Sequence, residues 1–115
     1  MTVTLYQFED HVNGFKNSNL TKNEALSNWA LGLAGESGEV VDCIKKSLFH
    51  GKGFDNLDPV KKELGDLLWY VFALSSELGL SVEDIMQANI DKLRARHDGE
   101  TFDIEIANKN KALGK

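Results

Sequence analysis

One proline in 115 residues leaves this chain free to be helical almost throughout. Pro59 follows Asp58, and proline at the first helical position sacrifices no hydrogen bond, because an N–H there has no partner within the helix. No stretch alternates apolar and polar residues over the length of a strand, whereas apolar residues recur at three- and four-residue steps in four segments. Leu5, Phe8, Val12 and Phe15 mark a first helix over about Val3 to Lys16. Thr21 and Glu24 form a capping-box sequence that opens a second helix, running to about Ser47. Its inward stripe is expected to be Leu26, Trp29, Ala30, Leu33, Val40, Val41 and Ile44. The glycines and Asn/Asp content of residues 50–57 predict a loop, after which Asp58 is expected to cap a third helix. Val60, Leu64, Leu67, Leu68, Val71, Leu74 and Leu78 face inward on it, and Gly79 ends it. Ser81 opens a fourth helix whose inward residues are Val82, Ile85, Met86, Ile90 and Leu93. From His97 the periodicity fades. The expectation is an all-α chain with one helical domain over 1–100 and a loosely ordered extension over 101–115.

Composition narrows the classes further. A net charge of −5 gives no basic surface with which to hold DNA or RNA, so no nucleic-acid partner is expected. Cys43 is the only cysteine and can form no internal disulfide, which suits a reducing compartment. The first residues lack the basic and apolar regions of a secretory signal, and no window approaches the roughly 20 apolar residues that span a bilayer. A cytoplasmic protein without a membrane partner is therefore expected. A chain this short buries less of its surface than a larger domain does, and pairing with copies of itself is a common remedy.

The chemistry lies in two acidic pairs. Glu36 and Glu39 are three residues apart on the second helix, and Glu63 and Asp66 are three apart on the third. That spacing projects both carboxylates of a pair in one direction. At about 100° per residue, Glu36 and Glu63 each lie roughly 70° from the centre of their apolar stripe, with Glu39 and Asp66 beyond them. Both pairs thus ride the shoulder of a core-facing face, which permits them to converge if the two helices form an antiparallel hairpin; four carboxylates held together would need either protonation or a cation, a divalent metal being the simpler solution. Oxygen-only donors favour Mg²⁺ or Mn²⁺ over Zn²⁺. On the fourth helix Asn89, Lys92 and Arg96 fall close to the apolar stripe, and a lysine and an arginine on such a flank need anionic partners.

The segments GLAGESGE, KKELGDLLWY and NIDKLRAR, in that order from about Leu31 to about Arg96, resemble the MazG-like nucleoside triphosphate pyrophosphohydrolases. The family pattern is EExxE, a spacer, then ExxD. Gly35 stands where the first glutamate is usual, and the other four acids are present. The resemblance implies a four-helix bundle of the MazG-like type, assembled as a dimer or dimer of dimers. It also implies Mg²⁺-dependent hydrolysis of an NTP or dNTP between the α and β phosphates, giving the monophosphate and pyrophosphate. Glu36, Glu39, Glu63 and Asp66 would hold metal, with Glu36 or Glu39 as general base. Asn89 and Lys92 match the family's substrate- and metal-associated N-x-x-K-L element. Tyr70, one turn after Asp66 on the same flank, and Arg96, one turn after Lys92, join the substrate set by position. Two other readings fit the same residues: hydrolysis of another nucleotide such as phosphoribosyl-ATP, or a non-enzymatic helical interaction protein with a structural metal site.

Other conspicuous residues have plainer readings. Trp29 and Trp69 are expected in the core or at a subunit contact, the latter because Trp69 points off the main stripe. Lys45 and Lys46 suit the negative end of their helix, His50 belongs to the following loop, and Asp42 continues the Glu36–Glu39 row. Gly51-Lys52-Gly53 lacks the full phosphate-loop pattern.

Overall fold

The computed structural model describes residues 2–115; the first residue of the expected 1–100 domain lies outside them. Five helices and no strand occur among the described residues: α1 (Leu5–Phe15), α2 (Lys22–Phe49), α3 (Asp58–Glu77), α4 (Val82–His97) and α5 (Ile104–Ala112). The chain divides into two units, one ending at Gly79 and the other spanning Leu80–Lys115.

In the first unit, local sequence sets the helix ends. Thr21 Oγ1 accepts from the Glu24 N–H at 3.2 Å, and the Glu24 carboxylate accepts from the Thr21 N–H at 3.0 Å. Thr4 and Gln7 repeat the arrangement at the start of α1, satisfying N–H groups that the helix cannot. At α3 the expected cap moves by one residue. Leu57 occupies the cap position without a side-chain bond, and Asn56 Oδ1 accepts from the Asp58 N–H at 3.1 Å instead. Gly79 follows α3 with a φ of 72°, a left-handed turn that glycine adopts without steric penalty.

α2 and α3 lie side by side, and their contacts run in opposite numerical order, as in an antiparallel hairpin. Trp29 meets Glu77, Gly32 meets Tyr70, and Glu36 meets Glu63 and Asp66. α1 lies on α3 through Phe8, whose ring meets Phe72 edge-on at 4.8 Å, and through Asn13, which accepts from Ser76 Oγ at 3.2 Å. The core is small, with Val12, Ala25, Trp29, Phe72 and Ala73 buried. The Trp29 indole N–H donates to Glu77 at 3.0 Å, and Lys16 reaches the same carboxylate at 3.4 Å.

The expected stripes are corrected here. On α3 Leu64, Leu68 and Leu78 are exposed, while Phe72, Ala73 and Ser75 are buried. On α2 Ala30, Val41 and Ile44 are likewise exposed. Leu64, Leu68 and Phe72 follow one another at four-residue steps, and α1 meets α3 near Phe72 and Ser76 rather than near the two exposed leucines.

The second unit is built from α4 and α5. Val82, Ala107 and Asn110 are its buried residues. α5 lies where the fading periodicity predicts loose chain; Asp103 caps it by accepting from the Ile106 N–H at 3.1 Å. Asn110 holds it to α4, donating from Nδ2 to the carbonyls of Ala95 and Arg96 and to Asp98 Oδ1, at 3.1, 2.9 and 2.9 Å. Those bonds fall where helix α4 leaves its last carbonyls unpaired, beside Asp98 in its left-handed conformation. On α4 itself the expected stripe is mostly uncovered: Val82 is buried, but Ile85, Met86, Ile90 and Leu93 are exposed.

Candidate functional site

Three of the four acids converge. Glu36 from α2 and Glu63 and Asp66 from α3 each offer a carboxylate oxygen, all within 4.8 Å of one another. The i,i+3 spacing puts Glu63 and Asp66 on one face of α3, and the antiparallel hairpin brings Glu36 opposite them. Glu39, exposed one turn further along α2, is outside this cluster but adds its charge to the field at Glu36.

That field is severe for Glu36. Its Oε2 is shut off from solvent and has no hydrogen-bond donor among the described residues. A proton held between Glu36 and Glu63 is the largest influence on its acidity. Desolvation and the charges of Asp66, Glu63 and Glu39 follow, and together they push its pKa up to about 7. Two unit charges about 4 Å apart repel by about 4 kcal/mol at an effective dielectric near 20. Protonation is one relief and a divalent cation the other. Three carboxylate oxygens at this spacing, on a cluster whose Glu36 also has a buried oxygen lacking a donor, fit a hard oxygen-seeking ion.

Beside the acids runs a groove of about 430 Å³ lined by His11 and Phe15 of α1, Glu36 of α2, and Asp66, Trp69 and Tyr70 of α3. Its aromatic side is built from stacked edges. Trp69 meets Tyr70 at 5.1 Å and 78°, and meets the buried Trp29 at 5.5 Å and 72°. Tyr70, expected near the substrate, therefore stands with Asp66 on one groove. Trp69, expected at a subunit contact, lines it too. No motif in the sequence marks His11 for the groove, and Phe15 is marked only as an apolar position. Their i,i+4 spacing, which puts both rings on one face of α1 at 5.1 Å, was the available signal.

The remaining candidates lie in the second unit. Asn89 and Lys92 are exposed on α4, not core-facing as their place on the wheel suggested. Arg96 is half-buried, and its Nε has no hydrogen-bond partner among the described residues. Asp42 pairs with Lys46 at 2.7 Å and is held below the usual carboxylate range by that bond. His50 closes the C-terminus of α2 through its backbone N–H. No helix is long and apolar enough to cross a membrane among the described residues.

The Gene 37 protein of Mycobacterium phage L5 is 38% identical over 78 residues, covering 65% of this chain and 68% of the phage protein. No solved structure matches the chain. The family model for the MazG nucleotide pyrophosphohydrolase domain matches residues 24–100, a span that takes in both acidic helices and α4. With more than half of its length matched, the chain belongs to the MazG nucleotide pyrophosphohydrolase domain family.

Proposed function

We propose that this protein hydrolyses a nucleoside or deoxynucleoside triphosphate between its α and β phosphates, releasing the monophosphate and pyrophosphate. The observation that carries the reading is the convergence of Glu36, Glu63 and Asp66, with a buried Glu36 oxygen that lacks a donor, beside an aromatic groove. Glu36, Glu63 and Asp66 would hold Mg²⁺ or Mn²⁺. When bound, such an ion neutralises the carboxylates, polarises phosphate oxygens and acidifies water.

The chain's own groups supply the rest. Glu39 stands outside the cluster and exposed, free to accept the proton of the attacking water as general base. Water adds across the anhydride, its proton passes to Glu39, and the α–β bond breaks with pyrophosphate leaving. The faces of Trp69 and Tyr70 suit a nucleobase, which needs flat apolar cover more than charge. Asn89, Lys92 and Arg96 of the second unit are the substrate-binding groups that the family resemblance and their spacing suggest. The Arg96 Nε without a partner is consistent with an anion-binding role. A homodimer or homotetramer accounts for the leucines left exposed on α3.

The test is pyrophosphate release from a panel of NTPs and dNTPs with Mg²⁺, with Mn²⁺ and with EDTA. Metal-dependent conversion to monophosphate is the expected result, with Glu63→Gln or Asp66→Asn reducing turnover by about a hundredfold or more while helicity persists. Nucleotides left intact in the presence of metal would overturn the proposal.

A further inference from the structure

Among the glycines of α2, Gly32 alone has its space taken. A Cβ built at position 32 would lie within 2.5 Å of Cδ1, Cε1 and Cζ of Tyr70, whereas Gly35 and Gly38 would meet nothing within 4 Å. Carbon atoms in contact settle at about 3.5–4.0 Å, so an alanine and the tyrosine ring cannot both keep their places. Gly32 lies in the interior of α2, where glycine weakens a helix relative to alanine, and it has no positive φ to justify its presence. The one demand for glycine here is therefore the ring.

The ring is held on its other sides as well. Trp69 meets it edge-on at 5.1 Å and Trp29 at 6.4 Å. Tyr70 in turn lines the groove that holds Glu36 and Asp66, and Glu36 is one turn after Gly32 on α2.

We propose that Gly32 is a positioning residue: the gap it leaves on α2 seats the Tyr70 ring and thereby sets how large a base fits beside the carboxylates. This rests on the groove being the nucleotide site. With Trp29 and Trp69 flanking it, a ring driven off α2 moves into the groove and narrows it. Purines, the larger bases, suffer more than pyrimidines.

Four proteins test this: the parent, Gly32→Ala, Tyr70→Ala and the double variant, each assayed for KM, kcat and Tm. Overpacking of this kind is expected to raise KM about tenfold for purine nucleotides, less for pyrimidine ones, with kcat within about threefold of the parent. With Tyr70→Ala as the background, adding Gly32→Ala changes KM by less than about twofold, because the clash it relies on is gone. Tm gives a second readout that needs no activity. Gly32→Ala lowers Tm when Tyr70 is present and raises it when Tyr70 is alanine, since only helix preference then remains. Should Gly32→Ala fail to fold, recovery of folding in the double variant supports the seat. Equal effects of Gly32→Ala in both backgrounds, or a raised Tm with Tyr70 in place, would overturn it. If the parent releases no pyrophosphate at all, the functional reading fails, while the sign reversal in Tm still decides whether Gly32 seats the ring.

Discussion

At the scale of single residues, Glu36 is caught between two opposing conditions. Its place on α2 puts a carboxylate against two others, and burial of Oε2 removes the water that would soften the repulsion. The folded protein therefore holds a proton on this group up to about pH 7, whereas an ordinary glutamate, as in the unfolded chain, releases it near 4.5. Between those values the folded state binds more protons than the unfolded one, so stability falls as pH rises through the window. The stability associated with this group is fully present below the unfolded pKa and lost above the folded one. Thermal unfolding in EDTA is expected to show a lower Tm at about pH 8 than at about pH 5, with millimolar Mg²⁺ restoring it at the higher pH. Glu36→Gln, which has no charge to repel, flattens the pH dependence over that range and removes most of the Mg²⁺ effect. A parent protein whose Tm in EDTA rose steadily across the window would show that the carboxylates are not crowded as described.

Among the elements, what could be read in the sequence was whatever depends on near neighbours along the chain. The Thr21–Glu24 box and the stop at Gly79 are contained within a few residues, and each acts where expected. What depended on packing was not legible. Leu64 and Leu68 keep helical period as faithfully as Phe72 does, and where along α3 the neighbouring α1 lies decides which of them is covered. His11 and Phe15 become site residues only because α1 is laid on α3. α5 is the extreme case: of its nine residues only Ala107 and Asn110 are buried, so it has no apolar stripe to detect. A buried asparagine holds it in place. Asn110→Ala leaves the α4 carbonyls and Asp98 without their donor, at a cost of about 1–3 kcal/mol. Amide hydrogen exchange should quicken across α5 and the last turn of α4, while α2 and α3 keep their protection. Uniform loss of protection along the whole chain would instead mean that Asn110 supports more than its own unit.

At the scale of the whole molecule, many large apolar side chains stay exposed among the described residues. Its buried apolar set runs to small residues and a few rings, while Val41, Leu48, Leu64 and Leu68 are between 45% and 66% exposed on the two helices that carry the acids. Each such side chain, already about half covered, contributes on the order of 1 kcal/mol if the rest is covered. A second copy of the chain is the economical cover, since one surface then serves both partners. Sedimentation at micromolar concentration is expected to give two or four times the 12.8 kDa of one chain. Leu68→Glu places a charge on that face, where burial without a partner is costly, and should shift the equilibrium towards the single chain. Because the same helices carry the carboxylates, specific activity should fall on dilution through the dissociation range, and more steeply for Leu68→Glu than for the parent. Glutamate at the exposed Leu113, far from α2 and α3 in sequence, serves as the control and should leave both mass and dilution behaviour unchanged. A parent protein that sediments as 12.8 kDa with full activity would mean that the exposed leucines await some other cover, and that the carboxylate site is complete within one chain.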